Sequence, residues 1–180
     1  IPQGPSLRFA LGTQFFKFLV FNDPSWDYRD YDVANARKDA RLTATFMNAT
    51  NPDLDAFKAK GGKLVVWHGW SDPALTALGS IKYYEQVQAR DAGVRDYFRM
   101  FLLPGVLHCG RGPGPDTVDW PATIADWVEH GKAPAGLRLV AQETKAPFAV
   151  TRARPLCEWP QWPHYKGGDV NRAESFECAK

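Results

Sequence analysis

The sequence predicts an α/β fold, a parallel sheet with flanking helices, and three observations predict it. Two apolar runs of strand length, Lys63 to Trp67 and Tyr97 to Leu103, bracket a helix-patterned stretch. The order strand, helix, strand implies a right-handed crossover and parallel pairing. Each run is followed by turn residues and then by a residue able to do chemistry, Asp72 after the first and His108 after the second. In parallel sheets the loops leaving the C-terminal strand ends form the binding crevice. Two residues far apart in sequence are thereby placed at the same edge of one sheet.

The elements follow in order. Ser6 to Phe21 is apolar and aromatic and predicts a buried helix, which Asn22-Asp23-Pro24 ends because the residue before proline avoids the helical region. Asp27 to Asp32 is polar and aromatic without clear periodicity. Ala34 to Met47 has helix-forming composition, with Leu42 and Phe46 on one face. Asn51-Pro52-Asp53 is a break and a helix start, with Leu54 and Phe57 on one side. Gly61-Gly62 is a turn into the first strand. Gly79 to Ala92 reads as a helix with Ile81, Tyr84 and Val87 inward and Gly93 as its stop. Pro104-Gly105 ends the second strand. Pro121 suits the first turn of a helix whose apolar stripe is Ile124, Trp127 and Val128 and whose stop is Gly131. Leu137 to Val140 is a late strand. There is no internal repeat and no low-complexity segment.

A chain of 180 residues allows one domain of ordinary size. Its formal net charge of +2 is too small to point to nucleic acid or an anionic membrane as partner. No apolar run approaches the roughly 20 residues of a membrane span; the one from Phe15 to Phe21 is interrupted by Lys17. The first residue is Ile1, with no signal-like segment after it, as expected of a processed or truncated chain. Asn48-Ala49-Thr50 is a glycosylation sequon, meaningful only in a secreted eukaryotic protein.

Three cysteines are an odd number. Cys157 and Cys178 flank a proline- and glycine-rich tail with little periodic structure. A bridge between them would gain about 3 kcal/mol in the chain-entropy model, leaving Cys109 for a partner on another chain or as a free thiol. Three reduced cysteines are the other reading.

The chemistry lies in two motifs. The first is Gly62-Lys63-Leu64-Val65-Val66-Trp67-His68-Gly69-Trp70-Ser71-Asp72-Pro73, the second Leu103-Pro104-Gly105-Val106-Leu107-His108-Cys109-Gly110. Together they read as the acid and base of a serine–acid–histidine triad in the chain order of α/β-hydrolases. Asp72 would fix the tautomer of His108 and stabilise its imidazolium; taken alone, Ser-Asp-Pro is also ordinary turn chemistry. His108 would take and return the proton. Its glycine-rich surroundings mark a loop of close backbone approach, whereas a buried structural histidine is the bland alternative. None of the serines (Ser6, Ser25, Ser71, Ser80, Ser175) lies in a Gly-x-Ser-x-Gly elbow. The nucleophile is therefore expected upstream. His68 is a candidate for substrate binding, lining the pocket, or for holding the acid loop, and the second role is favoured. His130 and His164 receive no function. The four histidines lack the paired spacing of a zinc site, so no metal ligands are assigned. Gly110-Arg111-Gly112-Pro113-Gly114 lacks the lysine of a phosphate-binding loop.

These motifs, with Gly112-Pro113-Gly114-Pro115, Asp23-Pro24-Ser25-Trp26-Asp27, Arg154-Pro155-Leu156-Cys157 and Phe176-Glu177-Cys178, closely resemble the tannase and feruloyl esterase family. That family includes the hydrolase of mono-hydroxyethyl terephthalate. The resemblance implies the C-terminal part of an α/β-hydrolase fold, incomplete without an upstream segment. Residues 1–60 would be a helical segment linking lid and hydrolase domain. Residues 61–180 would be the C-terminal part of the hydrolase domain with a disulfide-stapled tail. It further implies Asp72 as acid, His108 as base, and a Cys157–Cys178 bridge. Cys109 would be half of a disulfide to a cysteine outside this chain, next to the serine. The partners are then an upstream polypeptide carrying serine and lid, and a small aromatic ester. The chain itself needs no cofactor; a structural calcium belongs to the upstream lid. A secreted or periplasmic location follows. The implied activity is hydrolysis of hydroxycinnamoyl, galloyl or related esters. The alternative is a non-catalytic remnant or binding subunit of the same fold, distinguished by the lack of an upstream Gly-Cys-Ser-x-Gly.

Overall fold

The structure, a computed structural model, describes residues 6–180. The chain divides into two compact units, Ile1–Asn51 and Pro52–Lys180, at the Asn51-Pro52 break.

In the first unit α1 (Leu7–Gln14) starts at Ser6, whose hydroxyl accepts the Phe9 N–H at 3.2 Å. It widens into a π-helical stretch, Phe15–Val20, and the Phe21 N–H donates to Phe16 O at 2.9 Å. Phe16, Phe21, Trp26 and Tyr31 form a ring cluster. The expected buried helix is corrected here. Leu11, Phe18 and Leu19 are exposed, because the unit has apolar partners for one side of the helix only. The expected helix from Ala34 to Met47 is also two pieces, α2 (Ala36–Asp39) and α3 (Arg41–Met47). Ala40 leaves the helical region at ψ 5°, and the Thr43 hydroxyl donates to its carbonyl at 2.9 Å. The same carbonyl also accepts the Ala44 N–H at 2.9 Å.

In the second unit α4 (Asp55–Ala59) leads to β1 (Leu64–Gly69), α5 (Ala77–Arg90) and β2 (Phe98–Leu103). β1 and β2 are parallel, from Leu64 opposite Phe98 to Gly69 opposite Leu103. The side-chain period of 2 separates two cores. On one face Leu64, Val66, Phe98 and Met100 pack with Ile81, Tyr84 and Val87 of α5. On the other Val65, Trp67, Phe101 and Leu103 pack with Val106, Leu139 and Trp120. α5 ends before Gly93. Asp91 stops it, leaving helical geometry at φ −133° and accepting the Gly93 N–H at 2.9 Å through its side chain. α6 (Trp120–His130) is capped by Asp119 and stopped by Gly131 in the left-handed region.

β3 (Arg138–Gln142) pairs antiparallel with β4 (Val150–Pro155). β5 (Trp162–Tyr165) pairs antiparallel with β6 (Phe176–Ala179). The tail is thus a hairpin where little periodic structure was expected. Pro163, which cannot donate to a ladder, obscures its alternation. Cys157 and Cys178 are bridged, with Cα atoms 5.5 Å apart. Glu158 bridges Phe101, joining the tail to the free edge of β2. Among the described residues no helix is long and apolar enough to cross a membrane.

Candidate active site

The chain stays in register beyond both parallel strands. The Trp70 N–H donates to Leu103 O and the Ser71 N–H to Val106 O, each at 3.0 Å. Gly69 is where the two loops touch. A Cβ there would lie 2.2 Å from Leu107 O, so any side chain would push the second loop away. That loop folds back on itself at Gly112, with φ +104° and Gly105 O 2.3 Å from where a Cβ would be. Neither position accommodates an L side chain without moving backbone.

These loops bring Asp72 and His108 together. His108 Nδ1 lies 2.7 Å from Asp72 Oδ2. Asp72 Oδ1 accepts the N–H groups of Ala74 (2.7 Å) and Leu75 (2.9 Å). The Asp72 side chain is 2% exposed and that of His108 47%. Burial pushes the Asp72 carboxyl up. The His108 ring and the Leu75 and Ala74 N–H groups outweigh it, and the net shift is well below the usual carboxylate range. Asp72 is therefore anionic throughout the range where histidine titrates. An anionic carboxylate only accepts, so neutral His108 carries its proton on Nδ1. Nε2 is left as an acceptor, with no hydrogen-bond partner among the described residues.

His68 stands at the end of β1, on the α5 face. Its Nε2 lies 3.2 Å from Asp72 Oδ2 and 3.4 Å from Leu75 O; its Nδ1 lies 2.8 Å from Ser80 Oγ. Both neighbours of Nε2 are acceptors, so the proton is on Nε2 and Nδ1 accepts from the Ser80 hydroxyl. Both ring nitrogens are thus engaged by protein groups, and the side chain is 14% exposed. Ser80 belongs to no recognisable motif; only its place in the first turns of α5, facing the strand end that carries His68, could have indicated it.

His130 pairs with Asp126 and His164 sits in β5; neither joins the cluster. Cys109 is exposed and outside the Cys157–Cys178 bridge. Among the described residues no group of three or more His, Cys, Asp or Glu is arranged to hold a metal ion.

Comparison with known proteins matches residues 10–179 to the family model described as tannase and feruloyl esterase. A probable feruloyl esterase of Arthroderma benhamiae is 36% identical over 96% of this chain and 34% of its own length. The mono(2-hydroxyethyl) terephthalate hydrolase of Piscinibacter sakaiensis is 44% identical over 73% of this chain and 22% of its own. The crystal structure of an esterase from Aspergillus oryzae superposes with a TM-score of 0.83 at 24% identity, over 93% of this chain and 37% of that one. This chain therefore spans about a third, or less, of the length of these relatives.

Proposed function

The chain belongs to the tannase and feruloyl esterase family, and from that premise we propose that it supplies the acid and base of a serine carboxylesterase acting on aromatic esters. The serine comes from an upstream part of the protein. One observation carries the reading: the 2.7 Å bond from His108 to a nearly fully buried Asp72, with His108 Nε2 free to accept.

In this reading the serine hydroxyl gives its proton to His108 Nε2 as its oxygen attacks the ester carbonyl. Asp72 stabilises the imidazolium. His108 returns the proton to the departing alcohol, leaving an acyl-enzyme. Water then gives a proton to the same Nε2 as it attacks the acyl carbon, and the carboxylic acid leaves with the serine restored. His68 and Ser80 hold the Asp72 loop against α5. The Cys157–Cys178 bridge favours an oxidising compartment, secreted or periplasmic.

The test uses the complete polypeptide. It should hydrolyse a hydroxycinnamate methyl ester, and an organophosphonate should label one serine upstream of this chain. A protein that binds the ester without turnover, and takes no label, is a binding subunit instead.

Cys109 is assigned a disulfide to a cysteine beside that serine. Tying the base loop to the nucleophile holds their separation, and errors of about 1 Å can cost on the order of a hundredfold in rate. Non-reducing peptide mapping of the complete protein should recover a peptide pair containing Cys109. Rapid alkylation of Cys109 before reduction would overturn the assignment.

Ser80→Ala removes the donor that fixes the His68 ring. We expect kcat to fall roughly three- to tenfold, the worth of one such hydrogen bond, with KM unchanged and Ser80→Thr restoring part of the loss. A raised KM at constant kcat would instead make His68 a pocket residue.

A further inference from the structure

We propose that a cleft behind the base loop is a binding site for a carboxylate, held by Arg152 and Arg154. The cleft has a volume of about 370 Å³. One wall is the base loop, through Pro104, Pro113 and Pro115; the other is the tail, through both arginines and Phe176. It is separate from the Asp72–His108 pair, neither of which lines it.

The two arginines sit two residues apart on β4, opposite Ala141 and Leu139, so their side chains leave the same face of the strand. Like charges so placed repel unless an anion lies between them. Yet among the described residues neither is in an ion pair. Arg152 donates to Pro113 O at 2.5 Å, and Arg154 donates to Ala153 O at 2.8 Å. Those bonds use one N–H group of each guanidinium, which has five to offer. Arg154 lies over the Phe176 ring, 4.1 Å from its centroid, and both side chains line the cleft. Burial, then the charge of Arg152, lowers the Arg154 pKa; an anion between the two would offset their repulsion. Prolines and a phenylalanine give the rest of the cleft an apolar lining, suited to the body of an organic acid rather than to a hydrated inorganic ion.

The carboxylate has two sources, a free aromatic acid or an acidic side chain from elsewhere in the complete protein. Calorimetry on the complete protein with benzoate, and with neutral benzamide as control, separates them. For a free acid, benzoate binds, benzamide binds at least about tenfold more weakly, and Arg152→Gln and Arg154→Gln each weaken benzoate about ten- to a hundredfold. Raising the salt weakens it too. For an internal side chain, the wild type takes up no benzoate. Conversion of one upstream Asp or Glu to its amide is then non-additive in stability with Arg154→Gln. Arg152→Gln serves in that cycle should the Arg154 variant not fold. Absence of benzoate binding together with additivity for every upstream acid overturns the proposal.

Discussion

His108→Ala in the complete enzyme is expected to lower kcat roughly ten-thousand- to a millionfold, with little change in KM or in the circular dichroism spectrum. The size follows from what the ring does in the proposed cycle. It is the acceptor in both attacks and the donor in both collapses, and triad members removed singly cost losses of that order elsewhere. The intact fold follows from the loop's own backbone bonds, Leu107 N–H to Arg111 O and Gly114 N–H to Gly105 O, none of which involves the His108 ring. Asp72 keeps its bonds to Ala74, Leu75 and His68. Stopped-flow measurement of both the acylation burst and the steady state checks the claim, because acylation and deacylation should slow together. A variant within tenfold of wild type would leave His108 without a catalytic role.

The pairing of Asp72 with His108 was legible because its signals are local. A short apolar strand, a glycine at its end and a polar turn place a residue at the crevice edge whatever else the protein contains. The two parallel strands and the stops at Gly131 and Pro104-Gly105 were legible for the same reason. What was missed depends on partners distant in sequence. The exposure of Phe18 and Leu19 turns on what lies opposite the helix, which hydrophobicity does not encode. The α2–α3 break at Ala40 falls inside a stretch whose composition is helical throughout, so composition alone does not mark it. Pro163 hides a strand whose existence rests on pairing with Phe176–Ala179. Ser80 and Arg152 have no motif, and the motif that holds Arg154 gives that side chain no role; they acquire meaning only when α5 meets β1, and when β4 meets the base loop.

Asp72→Asn should be nearly as damaging as loss of the base, by about ten-thousandfold in kcat, and the structure gives the reason in detail. The amide has one acceptor oxygen and one donor nitrogen. The N–H groups of Ala74 and Leu75, at 2.7 and 2.9 Å, both need an acceptor, so the oxygen must take the Oδ1 position. The NH₂ then occupies the Oδ2 position, facing His108 Nδ1 at 2.7 Å and His68 Nε2 at 3.2 Å. A donor now points at His108 Nδ1. The proton moves to Nε2, and the ring presents N–H to the serine where it should present a lone pair. His68 is pushed the same way, to a proton on Nδ1 that donates to Ser80. Ser80 can accept it, so the loop is kept and the loss is chemical rather than structural. Nitrogen-15 chemical shifts of the two histidines, which distinguish the tautomers directly, should invert in the variant while its melting temperature stays close to wild type. A variant with lost activity but unchanged tautomers would mean that Asp72 acts through its charge alone and not by selecting which ring nitrogen holds the proton.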